Sequence, residues 1–181
     1  MTKYPKGFSM NRLACPSVDT NFLDSNDFAL VIERLPNVSF FSNSVELPSV
    51  SLVSLGEATP LSNMKIPGDQ LTFDSLSVTF YVDAKMDNYL EVFKWMQGLG
   101  FPENRAQYTT ENNTRDPNLT ELEKNFSDAK LIVLNAGKQF NFVDCFPTRL
   151  SGIRFETQQQ DVVYAVATVD LDYSYFTIDN A

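Results

Sequence analysis

Residues 64–96 read MKIPGDQLTFDSLSVTFYVDAKMDNYLEVFKWM and carry a turn, a strand and a helix in immediate succession. Pro67-Gly68-Asp69 predicts a tight turn, because proline fixes its own φ and glycine accepts the positive φ of sharp reversals. Leu76, Val78, Phe80 and Val82 alternate with Ser77, Thr79, Tyr81 and Asp83, the period of a strand with one buried face. Asn88 and Glu91 have the spacing of a capping box at a helix start. Tyr89, Val92, Phe93 and Met96 then recur at helical spacing, and Gly98 and Gly100 predict the stop, giving one principal helix at about 86–97.

Upstream, residues 1–26 are polar, contain Pro5 and Pro16, and follow neither period, which reads as an extended arm. Phe28, Leu30 and Ile32 predict a first strand; Leu35-Pro36-Asn37 predicts a turn, and Val38–Val45 a second strand. Adjacent residues Phe40 and Phe41 then fall on opposite faces of that strand. Residues 46–69 read as a long loop, since Pro48, Pro60 and Pro67 disfavour a regular ladder. Its apolar residues Leu47, Val50, Leu52, Val53, Leu55, Met64 and Ile66 are costly to leave in water, so it is expected to dock on a neighbouring subunit.

Downstream, residues 98–127 read as a polar surface insertion, with Leu119, Leu122 and Phe126 on one thin apolar helix face. Lys130–Leu134 and Gln139–Phe146 predict a β-hairpin around Asn135-Ala136-Gly137. Ile153–Glu156 predicts a short strand. Residues 161–176 predict a longer one, with Ala165, Ala167, Val169 and Leu171 on one face and Thr168, Asp170 and Asp172 on the other. The fold class is mainly β, a barrel or sandwich of antiparallel strands with the one principal helix, and residues 27–181 form its single domain.

Composition narrows the function. A formal charge of −9 disfavours a protein that grips nucleic-acid phosphates by counterion release. The chain has no histidine, and so lacks the commonest general base near neutral pH and the commonest metal ligand. Its carboxylates are scattered, and no phosphate loop or nucleophile elbow occurs. Neither an enzyme nor a cofactor or metal protein is expected. Cys15 and Cys145 show no metal or disulfide spacing and read as free thiols in a reducing cytoplasm.

Gly68, Asp69, Phe73, Asp74, Val78, Thr79, Phe93 and Trp95, in this order, resemble the tail-tube protein family of contractile-tailed, myovirus-type bacteriophages. Two further stretches, Phe146-Pro147-Thr148-Arg149-Leu150 and the run ending at Tyr173, resemble the family's closing strands. The resemblance implies a structural virion protein: a hexameric ring whose inner sheet closes across subunits, stacked into a tube through which DNA leaves. It implies inter-subunit or inter-ring contacts at Phe41, Leu47, Pro48, Leu52, Leu55, Met64 and Ile66, with Leu47-Pro48 marking the start of a loop that reaches between rings. Asp170 and Asp172 are candidate lumen-facing acids that would repel passing DNA without binding it, and Phe93 and Trp95 are candidate helix anchors. Implied partners are stacked copies or paralogous tube proteins, the sheath, and a baseplate or tape measure protein. Other readings are a tube initiator of the baseplate, a tube terminator, an Hcp-like secretion tube, and a receptor- or sugar-binding virion domain.

Overall fold

The computed structural model describes residues 22–58, 63–100, 123–155 and 164–180. Most of the arm (1–21), Leu119 and Leu122 of the insertion, and Cys15 lie outside the described residues. The elements in chain order are β1 (Phe28–Ile32), α1 (Pro36–Phe40), β2 (Ser42–Glu46), β3 (Val50–Ala58), β4 (Asn63–Phe73), β5 (Leu76–Tyr81), α2 (Asp87–Gly100), β6 (Ser127–Val133), β7 (Lys138–Leu150), β8 (Val166–Asp172) and β9 (Tyr175–Asn180). Every strand pairing is antiparallel.

One strand organises the domain. The first half of β7 pairs with β6 and β9, and its second half pairs with β8. This divides the sheet into an outer half, β1-β6-β7-β9, and an inner half, β2-β5-β8-β7. The crease falls at Asp144, whose φ of 57° is left-handed. The ladder shifts register there, between Ser127↔Cys145 and Ala129↔Phe142. Asp144 N–H donates to Asp128 Oδ1 at 3.3 Å, and across the crease Ser174 N–H donates to Val143 O at 3.0 Å. The second bond holds the place where β8 ends and β9 begins, both running along the same edge of β7.

Folding at the crease brings two apolar faces together. Leu30, Ile32, Leu131 and Phe142 from the outer half meet Leu76, Val78, Phe80, Val169 and Leu171 from the inner half in one core. Burial of that apolar area is the main stabilising term, roughly 25 cal/mol per Å². Cys145 is fully buried in this core, and burial first, then the Asp128 carboxylate, pushes its thiol up to about 12. The thiol is therefore protonated and inert near neutral pH.

α2 covers the core through Val92 and Trp95. Trp95 is 1% exposed, donates its indole N–H to Asn125 O at 3.1 Å, and carries the Arg34 guanidinium 4.6 Å from its ring centroid. Asn88 is the second residue of α2 and not its cap. Its buried carboxamide donates to Tyr81 O at 2.7 Å and accepts from Asp83 N–H at 3.2 Å, tying the end of β5 to the helix. Glu91 accepts from Asn37 of α1 and so does not close a capping box.

Several sequence expectations need correction. Residues 36–40 are one turn of helix, with Pro36 in its first turn and the Ser39 hydroxyl bonded to Leu35 O at 3.0 Å; β2 starts only at Ser42. Residues 46–69 are not a loop, because most of them enter the β3–β4 pair. Pro67-Gly68-Asp69 lies within β4 and makes no reversal. Gly98 falls inside α2, which runs to Gly100. Ile153–Phe155 forms no strand, and the closing strand breaks at Tyr173-Ser174 to follow the crease.

Asp144 can hold a left-handed conformation that a β-branched residue resists. Asp144→Gly is expected to keep stability within about 0.5 kcal/mol, whereas Asp144→Val should lose roughly 1–2 kcal/mol. Urea unfolding of both variants checks this, and equal midpoints would contradict the crease assignment.

Candidate assembly surfaces

The first surface is the β3–β4 ribbon. Among the described residues its strands pair only with each other, forming a separate two-stranded sheet. An isolated two-stranded ribbon is marginal in water. Here the base is fastened: Phe73 lies 5.4 Å from Phe176 and 6.1 Å from Tyr173, centroid to centroid. The Tyr173 hydroxyl donates to Asp74 O at 2.9 Å, and Asp74 N–H donates to Ser49 O at 3.2 Å. Partial burial, followed by nearby anionic groups including Asp74 and Asp172, raises the Tyr173 phenol to about 12, so it stays a donor.

Beyond that base none of the described elements covers the ribbon. Val50, Leu52, Val53, Leu55, Met64, Ile66 and Leu71 are all substantially exposed, Leu55 by 59%. The ladder slips between Leu52↔Leu71 and Ser54↔Pro67, leaving Gly68, Asp69 and Gln70 opposite Val53 alone. Gly68 is dictated by this close approach, since a Cβ there would lie 2.5 Å from Val53 O.

Of the other candidate contact residues, Leu47 lines an apolar hollow of about 320 Å³ with Leu23, Phe28, Val45 and Phe140. Pro48 is buried, and Phe41 is half-buried against Phe40. Phe40 is the outward member of that pair, at 81% exposed. Trp95 is a core anchor, while Phe93 is half-exposed on the helix surface.

The second surface is the outward face of the inner sheet. Cross-strand pairing lines up Ser44, Thr79 and Thr168 in one row and Glu46, Ser77, Asp170 and Arg149 in the next. Thr79 and Thr168 hydroxyls meet at 3.2 Å, and Ser77 Oγ donates to Asp170 Oδ1 at 2.7 Å. Asp170 and Asp172 thus sit half-buried on a hydroxyl-rich polar face, opposite the core side of β8. Alternation along β8 placed these two acids together; the rows they join depend on strand order and had no local signal.

The third feature is a pair of open edges. Among the described residues β2 pairs with β5 on one side only, and no strand covers the other side of 146–150 in β7. Among the described residues no cluster of acidic or cysteine side chains has the form of a metal site, and no helix is long and apolar enough to cross a membrane.

Solved structures share this fold. The anti-feeding prophage baseplate contains a chain with a TM-score of 0.61, 12% identity, and coverage of 90% of this chain and 98% of that one. The anti-feeding prophage tube-terminating cap gives 0.59 at 17% identity, covering 93% and 97%. The sheath/tube terminator of an extracellular contractile injection system gives 0.57 at 19% identity, covering 90% and 99%. The chain therefore shares its fold with these components of contractile systems. The chain belongs to the phage tail tube protein family, which matches residues 5–179, and it is a structural tail protein. It is also 23% identical to the tail tube terminator protein of Enterobacteria phage T4 over 170 residues, 88% of this chain and 90% of that protein.

Replacing Leu52 and Leu55 together by serine is expected to leave the thermal midpoint of the isolated subunit unchanged within about 2 °C, because neither residue contributes to the core. The same variant should show markedly reduced self-association by sedimentation velocity. A large loss of stability, or undiminished association, would contradict the ribbon's assignment as a docking element.

Proposed function

We propose that this chain is a ring-forming subunit of a phage tail tube, six copies closing the inner sheet into one continuous barrel around a channel. The observation that carries this reading is the inner half-sheet itself. Among the described residues it has four strands, two uncovered edges and a polar outward face. The strands alternate in direction, so β2 and β7 run oppositely. The β7 edge of one copy therefore meets the β2 edge of the next as an ordinary antiparallel pair. Repetition by rotation removes every edge, and exposed edges are otherwise sites of uncontrolled pairing. The polar face would then line the channel. Asp170, Asp172 and Glu46 outnumber Arg149 there, so the lining is net acidic and repels DNA phosphate as it passes.

The ribbon, too apolar to remain in water, would dock on a neighbouring copy in the same or an adjacent ring. Stacked copies or paralogous tube proteins, the sheath, and a baseplate or tape measure protein are the partners this position implies. Assembly alone accounts for these surfaces, without a catalytic step. Synthesis in the host cytoplasm would precede incorporation into the virion tail, which agrees with a buried, protonated Cys145 thiol.

A second reading places the same ring at the end of the tube as its terminator. It is favoured by the near full-length similarity to the tail tube terminator of phage T4. Negative-stain microscopy of the protein, alone and with preformed baseplates, separates the two. Long hollow tubes of stacked rings are expected for a tube-body subunit, and single rings that do not extend for a terminator. Monomers under every condition would overturn both.

A further inference from the structure

The row across the polar face of the inner sheet ends in opposite charges. Glu46 stands on the open β2 edge and Arg149 on the open β7 edge, both exposed, with Ser77 and Asp170 between them. We propose that Arg149 of each copy pairs with Glu46 of the next and sets the register in which the ring closes. The proposal rests on the ring reading above and names the side chains that make its interface specific.

Three features of the sheet support it. First, rotation about a ring axis brings the β7 edge of one copy against the β2 edge of the next with the same face turned to the channel, so the two charges meet on one surface. Second, a guanidinium on a long stem reaches both the residue directly opposite and its diagonal neighbour, so the pair tolerates the stagger that closing a barrel requires. Third, a slip by one residue would send Glu46 to the other face and leave Arg149 without that partner. The pair therefore selects against the register error that an edge of hydroxyl side chains, Ser42 and Ser44, would otherwise permit.

Arg149 also has a neighbour in its own subunit, Asp170, directly across the ladder. That carboxylate already accepts the Ser77 hydroxyl through Oδ1. A guanidinium has five donors spread around its plane, so Arg149 can face Asp170 on one side and the neighbouring Glu46 on the other.

Charge reversal tests the pairing directly. Glu46→Arg puts two cations at each interface, and Arg149→Glu puts two anions there. Both positions are exposed, so each variant is expected to keep the wild-type circular dichroism spectrum; Glu46→Arg should keep the melting temperature, and Arg149→Glu, which faces Asp170 across the ladder, should lower it by no more than a few degrees. By native mass spectrometry, each single variant should need a concentration on the order of tenfold higher or more to form rings, because like charges face each other at every contact. An equimolar mixture of the two should form rings at the wild-type concentration, with the variants alternating in equal numbers, since every contact then joins opposite charges. Wild-type assembly by either variant alone would overturn the pairing and leave the ring reading intact. Impaired variants that the mixture does not rescue would also overturn it, showing that Arg149 acts on Asp170 within its own subunit. A wild-type protein that forms no ring at any concentration, alone or on tail tubes, would remove the reading on which the pairing rests.

Discussion

The structure depends on one strand serving two half-sheets. β7 runs for thirteen residues and changes partners at Asp144, where a left-handed residue turns the strand. A flat seven-stranded sheet of this composition would leave one apolar face uncovered. The crease folds that face onto itself, so that Leu131 and Phe142 on one side of the bend are buried with Val169 and Leu171 on the other. The same crease explains why the closing strand is split into β8 and β9, and why the Ser174 backbone is bonded to Val143. It has a further consequence. Once β7 has turned away from β6, its residues 146–150 lack a partner on that side among the described residues, leaving the open edge that pairs with β2 in the proposed ring.

A subunit folded this way has a satisfied core and an unsatisfied exterior. The ribbon holds its base with Phe73 and the Tyr173 hydroxyl, then exposes apolar residues along both strands. Soluble monomers seldom carry so long an uncovered apolar element, and such surfaces mark contacts with other chains. The polar face differs in kind. Its hydroxyls are bonded to one another and to Asp170, and it needs no cover. One surface asks for a partner and the other suits water and passing polyanions, which is the division that a channel-forming ring requires.

What the sequence revealed follows from how each element is buried. β1, β5 and β8 each have one face in the core, and their period-two alternation was readable. The hairpin of β6 and β7 was readable for the same reason, with Gly137 at φ 57° in its turn. The ribbon was not, because exposure on both sides leaves no alternation and because Pro67 and Gly68 suggested a turn where Pro67 is paired and Gly68 enters a bulge. The single turn at 36–40 is too short for a helical period to show. Asn88 had the spacing of a cap, yet its carboxamide is spent on the end of β5, a use that only the packed structure reveals. For the assembly surfaces, excess apolar content marked the ribbon and alternation marked Asp170 and Asp172. The open edges and the Glu46–Arg149 row depend on strand order, which no local stretch of sequence encodes.

In the proposed ring the inner sheet is completed by another copy of the same chain. Amide hydrogen exchange, compared between isolated subunits and assembled rings, tests it most directly. Unpaired edge amides exchange readily, and pairing with a neighbouring strand slows them. Ring closure through these edges should bring new protection at 42–46 of β2 and 146–150 of β7 together, with little change in β6, which is already paired on both sides by β1 and β7. Rings in which both edges exchange as fast as in the free subunit would contradict it, and would mean that the copies meet through some other surface.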